Sequence, residues 1–138
     1  SRLHWALVDH GLAEEAQCAW EGHDRCGQFV TWAICEPEKL PHVCDVIAQE
    51  HDRFIDSLQE ADLMMARSMI RTAVTVHGEM PAGRMQRLGR MYATLGTHVP
   101  LEEELKKLDA LTLDDLRATA TQWPLRGVVE GRLVPVRR

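Results

Sequence analysis

The stretch from Val99 to Trp123, V-P-L-E-E-E-L-K-K-L-D-A-L-T-L-D-D-L-R-A-T-A-T-Q-W, constrains the fold most, because it spells out the start and stop of two successive short helices. Pro100 suits a first helical position, where its missing N–H costs no hydrogen bond. Glu102, Glu103 and Glu104 fall in the positive first turn, and Lys106 and Lys107 lie towards the negative end. Glu102–Lys106 and Glu103–Lys107 are spaced as i,i+4 pairs. Leu101, Leu105 and Leu108 form one apolar stripe. The second helix opens at Thr112, an N-cap with Asp115 three residues on, a variant of the capping box. Leu113, Leu116, Ala120 and Trp123 make its inward face, and Pro124 stops it. Nothing in this pair is chemical: the helices pack on one side and are solvated on the other.

Upstream, the periodicity changes twice. Leu3, Ala6 and Leu7 predict a first helix, closed by Gly11. Ala16, Cys18 and Trp20 then alternate with polar or small residues up to a turn at Gly22-His23-Asp24. Beyond it, Cys26, Gln28, Val30, Trp32 and Ile34 share one face, and Phe29, Thr31, Ala33 and Cys35 the other. This is the pattern of a β-hairpin. The return strand is apolar on both faces, as expected inside a sheet rather than at its edge.

Pro37 opens a long helix in which Leu40, Val43, Cys44, Ile47, Phe54 and Leu58 recur at helical spacing, to about Ser57. A second helix is predicted over 61–77, with Leu63, Ala66, Ile70, Ala73 and Val74 inward, until Gly78 and Pro81 break it. A third, over 82–95, turns Met85, Leu88, Tyr92 and Leu95 inward and closes at Gly96. Residues 127–136 read as a final strand that rejoins the sheet. The layout is α+β, with helices packed on one face of a mainly antiparallel sheet. Three strands are few for this much helix, so the sheet is expected to lack its first strands, which would lie upstream of Ser1.

At 138 residues the chain reads as one domain spanning 1–138. A hydrophobic fraction of 45% against 27% charged is that of an ordinary globular protein. The formal net charge of -5 argues against nucleic acid as a partner, and Arg132, Arg137 and Arg138 are too few for a phosphate-binding face. No apolar run approaches the roughly 20 residues that cross a bilayer. No secretory signal peptide is visible, although the chain opens on Ser1-Arg2-Leu3 without Met and so is silent on targeting segments upstream. Four cysteines, Cys18, Cys26, Cys35 and Cys44, are spaced by eight or nine residues, without the close pairs of a zinc site. They are expected as free, mostly buried thiols, which favours a reducing, cytoplasmic compartment.

The order of these elements and several motifs resemble the C-terminal half-domain of the insulinase/pitrilysin-type zinc metallopeptidases, which include the mitochondrial processing peptidase-like proteins. Ser1-Arg2-Leu3, Leu7 and Gly11-Leu12-Ala13 resemble the family's first helix and strand. Gly27-Gln28-Phe29 resembles its second hairpin strand, and Glu36-Pro37-Glu38 the start of its long helix. Residues 60–66, Arg87-Leu88 with Tyr92, and residues 100–116 resemble its later helices. The resemblance implies the α+β LuxS/mitochondrial-processing-peptidase-like fold and a role in proteolysis.

It also marks what is missing. Active members hold zinc with an inverted H-x-x-E-H helix in the N-terminal domain and a distal glutamate. Here Glu50-His51 is the nearest fragment, with Ile47 where the first histidine would stand. The arginine and tyrosine that the C-terminal half supplies in many active members fall, by alignment, at Val8 and Glu14, and neither side chain can donate to an oxyanion. No catalytic, metal-binding or cofactor-binding residue is therefore assigned. The implied role is a non-catalytic C-terminal domain that forms the wall of a substrate chamber. Its implied partner is the N-terminal peptidase domain of the same protein, where the zinc would sit. Peptide substrate or a second copy of the chain are further possible partners, and neither nucleic acid nor membrane is expected.

The remaining polar and aromatic residues are expected to be structural. His51 reads as a partly buried, hydrogen-bonded histidine. His42 and His51 are too far apart to share a metal in the i,i+4 manner, and His4 and His10 lie on different helical faces. His23, Asp24 and Cys26 read as a polar turn. Met64, Met65 and Met69 read as a soft packing face rather than a peptide-binding patch. Trp5, Trp20, Trp32 and Trp123 read as core anchors. The alternatives are a stand-alone interaction module on an inactive peptidase-like fold, and a thiol-dependent enzyme using Cys18 or Cys26, which would need a cysteine of lowered pKa.

Overall fold

The structure, a computed structural model, describes residues 1–23 and 25–135. They form two compact units, residues 58–122 in one and the flanking segments in the other. The first unit contains the only sheet among the described residues, a two-stranded antiparallel hairpin of β1 (Glu15–His23) and β2 (Cys26–Ile34). The register runs from Glu15 opposite Ile34 to His23 opposite Cys26. Arg25 has a positive φ of 64°, the left-handed backbone that a tight hairpin connection calls for.

The chain enters this hairpin from a short wide-turned helix, His4–Val8, in which the Asp9 N–H donates to the His4 carbonyl five residues back. Gly11, at φ 66°, ends it as expected. After β2, a 3-10 turn at Pro37–Lys39 leads into α1 (Leu40–Arg53). Pro37 therefore opens a single tight turn, and the α-helix proper stops four residues short of the predicted end at Ser57. Leu3, Leu7, Ala13, Ala16 and Val43 form the core of this unit, with Val8, Leu12, Ala33, Cys35, Val46 and Ile47 packed against it. One hairpin face thus lies against α1 and the first helix. Arg2 donates to the Ser57 hydroxyl and carbonyl and lies over the Phe54 ring, which ties the N-terminal segment to the chain beyond α1.

The second unit holds α2 (Glu60–Glu79), α3 (Pro81–Leu95), α4 (Leu101–Ala110) and α5 (Leu113–Gln122). A capping box between Gln59 and Asp62 starts α2. Gly96 closes α3 at φ 66°. The cap written in the sequence is present at α5, where the Asp115 carboxylate accepts from the Thr112 N–H at 2.8 Å and the Asp115 N–H donates to the Thr112 hydroxyl at 3.2 Å. Pro100 lies one position outside α4, at its N-cap.

Several expectations are corrected. Residues 127–135 form no strand, and Val136 lies outside the described residues. This segment is instead anchored by side chains, with Arg126 on Asp52 at 2.8 Å and the Cys44 thiol 3.7 Å from the Glu130 carboxylate. The tryptophans are not core anchors, since Trp5, Trp20, Trp32 and Trp123 are all exposed, and so are Met64, Met65 and Met69. On α3 the inward face is Gly83, Arg87 and Met91, spaced by four, which leaves Met85, Leu88, Tyr92 and Leu95 exposed. The same holds on α2, where Leu63 is buried while Ala66, Ile70 and Ala73 are exposed. Helical periodicity marks an apolar stripe but not what covers it.

Candidate functional site

The hairpin brings chemistry-bearing side chains to α1 through one register. Ala16 pairs with Ala33, Cys18 with Thr31 and Trp20 with Phe29, so these pairs succeed one another along the same face. On α1, Val43, Ile47 and His51 succeed one another at intervals of four and form one stripe. Val43 is buried and Ile47 packs against the core. His51, one turn further on, meets the hairpin where the core gives way to solvent.

There the Thr31 hydroxyl donates to the Cys18 sulfur at 3.3 Å and stands 3.1 Å from His51 Nε2. Thr31 has one proton to give, so with that proton on sulfur the second contact requires the His51 tautomer that carries Nε2–H. Burial lowers the His51 pKa below its ordinary value, opposed in part by the charge of Asp52. His51 is thus the half-buried, hydrogen-bonded histidine expected from sequence. Thr31, its partner, was not anticipated, although the cross-strand pairing with Cys18 was implicit in the alternation. Beyond this chain of bonds, the Trp20 and Phe29 rings meet at 5.0 Å between centroids, both exposed. Gly27 lies beneath Trp20, and a β-carbon there would fall 2.2 Å from the indole ring.

The remaining sequence candidates are dispersed. Val8 is half-buried against the core, and Glu14 is exposed, its backbone N–H donating to the Ile34 carbonyl at 2.8 Å. Glu50 lines a shallow, open depression with Arg2, Trp5, Ala6 and His10. His4 pairs with Asp9 at 3.4 Å, whereas His10 Nδ1 meets the Trp5 carbonyl at 2.7 Å. His42, His23 and Cys26 are exposed, and Asp24 of the turn lies outside the described residues. The cysteines are free as expected, but Cys18 and Cys26 are exposed and Cys35 and Cys44 only half-buried. Burial pushes the Cys44 thiol up, with Glu130 adding to the effect.

Among the described residues, no group of three or more His, Cys, Asp or Glu side chains is placed to hold a metal ion. The nearest fragment of the inverted zinc motif does not fit zinc: Ile47 packs into the core, and His51 Nε2 faces a hydroxyl. Among the described residues, no helix is long and apolar enough to cross a membrane.

No family model matches the chain. An uncharacterized zinc protease from Mycobacterium tuberculosis is 28% identical over 111 residues, which are 80% of this chain and 25% of that protein. The mitochondrial-processing peptidase subunit alpha of Neurospora crassa is 25% identical over 126 residues, 87% of this chain and 22% of the relative. The subunit beta from Pongo abelii is 21% identical over 85% of this chain and 24% of its own length. This chain thus spans about a quarter of the length of the curated relatives it matches. In fold, it is similar to a chain of complex III2 from Candida albicans, solved with Inz-5 bound. The TM-score is 0.77 and the identity 16%, over 88% of this chain and 29% of that one. The α+β architecture is therefore of the mitochondrial-processing-peptidase-like kind.

Proposed function

We propose that this chain, similar to members of the insulinase/mitochondrial-processing-peptidase-like peptidase family, is the non-catalytic C-terminal domain of a zinc-dependent metallopeptidase. It contributes the wall of the substrate chamber and stabilises the catalytic N-terminal domain, its partner within the same protein. Zinc belongs to that N-terminal domain.

One observation carries the reading. The single place where this chain approaches the family's zinc helix, Ile47 with Glu50-His51, is a packing surface. Ile47 contributes to the core, and the His51 ring is engaged by Thr31. A hydrocarbon offers no lone pair to a metal, and an open zinc site needs three protein ligands and a free position for water. Val8 and Glu14, at the positions that resemble the family's oxyanion-stabilising pair, offer an apolar side chain and a carboxyl group. An ionised carboxylate repels developing negative charge. What remains for this chain is structural work, such as holding an extended peptide on a sheet edge. The free thiols suit a cytoplasmic setting.

The exposed apolar side chains of the hairpin, Trp20, Phe29, Trp32 and Ile34, favour a second reading, a stand-alone interaction module on an inactive fold. The reading is tested by expressing this chain alone and measuring zinc content and peptide hydrolysis. Neither stoichiometric zinc nor cleavage is expected, and either one overturns it. A coding sequence that supplies H-x-x-E-H upstream selects the first reading over the second.

A further inference from the structure

The two strands of the hairpin differ in kind on the face turned away from the core. That face carries the pairs Glu15–Ile34, Gln17–Trp32 and Ala19–Val30, since Ala16 and Ala33, one residue along, point inward. On β1 it is polar, with Gln17 donating to Glu15 at 2.7 Å and Glu21 accepting from Gln28 at 2.8 Å. On β2 it is an apolar stripe of Val30, Trp32 and Ile34, the last two 39% and 49% exposed. From Cys26 to Ile34 the strand carries no charge at all.

The outer edge of β2 has no strand beside it. The sheet has two strands, so β2 is paired on one side only. Bonded and non-bonded pairs alternate along an antiparallel ladder, and half of the β2 N–H and C=O groups therefore point away from β1. Among the described residues, the one backbone bond to β2 from outside the ladder runs from the Glu14 N–H to the Ile34 carbonyl, on the β1 side. Charged side chains guard an edge against further pairing, and β1 has them in Glu15 and Glu21. An uncharged edge nine residues long with an apolar stripe is a template for another strand.

Charge and symmetry select that strand. Two copies of β2 meet with no charge at the contact, whereas two copies of β1 would oppose their glutamates. An antiparallel pairing about a two-fold axis at Thr31 sets Trp32 opposite Val30 of the second copy, and the reverse, aromatic against β-branched. The joined hairpins make four strands, where two alone are marginal in water.

We propose that the outer edge of β2 is a self-association surface that pairs antiparallel with β2 of a second copy of this chain, forming a symmetric dimer. This names the partner of the exposed hairpin in the second reading above and rests on that reading's view of the hairpin as an interaction surface. Its test reads mass rather than zinc or hydrolysis, so the two fail separately.

Sedimentation equilibrium of the whole chain should show a mass rising from 15.7 kDa towards twice that over about 1–100 μM, the weak end expected of a small interface. Trp32→Lys puts a charge into the contact from each copy and should weaken the dimer about tenfold or more. Gln17→Lys, on the same face but on β1, should leave dissociation unchanged. In the dimer, amide exchange should slow at alternate residues of β2 and not along β1. A monomer over the whole range overturns the proposal, and so does a dimer that Trp32→Lys leaves intact. If circular dichroism shows Trp32→Lys to be unfolded, Ile34→Lys decides on the same criterion. A monomer whose β2 amides are slowed by an added extended peptide of alternating valine and threonine also overturns it, and gives the edge to a peptide.

Discussion

Gly83 on α3 approaches His77 on α2 so closely that a β-carbon on Gly83 would lie 2.0 Å from the His77 carbonyl oxygen. The obstruction is backbone, which cannot swing aside, and the two residues flank the break at Pro81. Gly27 offers a contrast, because there the 2.2 Å approach is to the ring of Trp20, a side chain 60% exposed. Gly83→Ala should therefore destabilise the protein by about 1–3 kcal/mol, the usual cost of overpacking. Gly27→Ala should cost much less, but it should turn Trp20 away from Phe29. Chemical denaturation measures the first effect and tryptophan fluorescence the second. Equal stability losses in the two variants would contradict the assignment.

Leu7 is fully buried at the centre of the first unit, with Leu3, Ala13, Ala16 and Val43 around it. Leu7→Ala removes its contacts and leaves a cavity, which typically costs about 2–5 kcal/mol. Trp5→Ala, two residues away on the exposed side, should change stability little. Urea unfolding of both variants checks the pair, and a larger loss for Trp5→Ala would invert the packing described.

Arg87 joins three segments of the second unit, reaching the Glu104 carboxylate on α4 at 2.7 Å and the Val99 carbonyl at 3.0 Å. Its side chain is 21% exposed, so the bonds are only partly screened. Arg87→Met keeps the apolar stem but leaves both acceptors without this donor, at a cost of about 1–3 kcal/mol. Arg71→Met, whose partner Asp109 is nearly half exposed, should cost less. Thermal melts of the two variants should rank them in that order.

The pH dependence of stability has a definite sign at His51. Its folded pKa lies below the ordinary 6.5, because burial opposes the charged ring. As pH falls past that ordinary value, the unfolded chain takes up a proton that the folded chain resists. Stability is thus fully present above it and declines as pH falls towards the lower folded value. His51→Gln should flatten this part of the stability curve. A wild type and variant with parallel profiles over the same range would show that His51 does not sense the fold.

Local signals in the sequence proved legible where the chain itself supplies both partners. The Thr112–Asp115 cap and the glycine stops at Gly11 and Gly96 depend on residues a few positions apart, and the hairpin from Ala16 to Ile34 pairs two strands that are consecutive in the chain. Covering of apolar stripes was not legible. Met85, Leu88, Tyr92 and Leu95 look like a core face, yet Gly83, Arg87 and Met91 turn inward, because a small residue permits close helix approach and Arg87 finds its acceptors there. Residues 127–135 looked like a strand from their branched side chains, but a strand exists only where a neighbour pairs with it. At the site, His51 stood out and Thr31 did not, since a threonine gains its role only from the register that sets it between Cys18 and α1.

The role proposed for this chain is to support peptide cleavage by another domain while performing none itself. Reconstitution tests it most directly: this chain and the N-terminal peptidase domain that the proposal places in the same protein are expressed separately, and hydrolysis of an unstructured peptide is followed for each alone and for the mixture. The account predicts no cleavage by this chain, little by that domain, and recovery on mixing in proportion to complex formed. Cleavage by this chain alone, or full activity of that domain without it, would contradict the account.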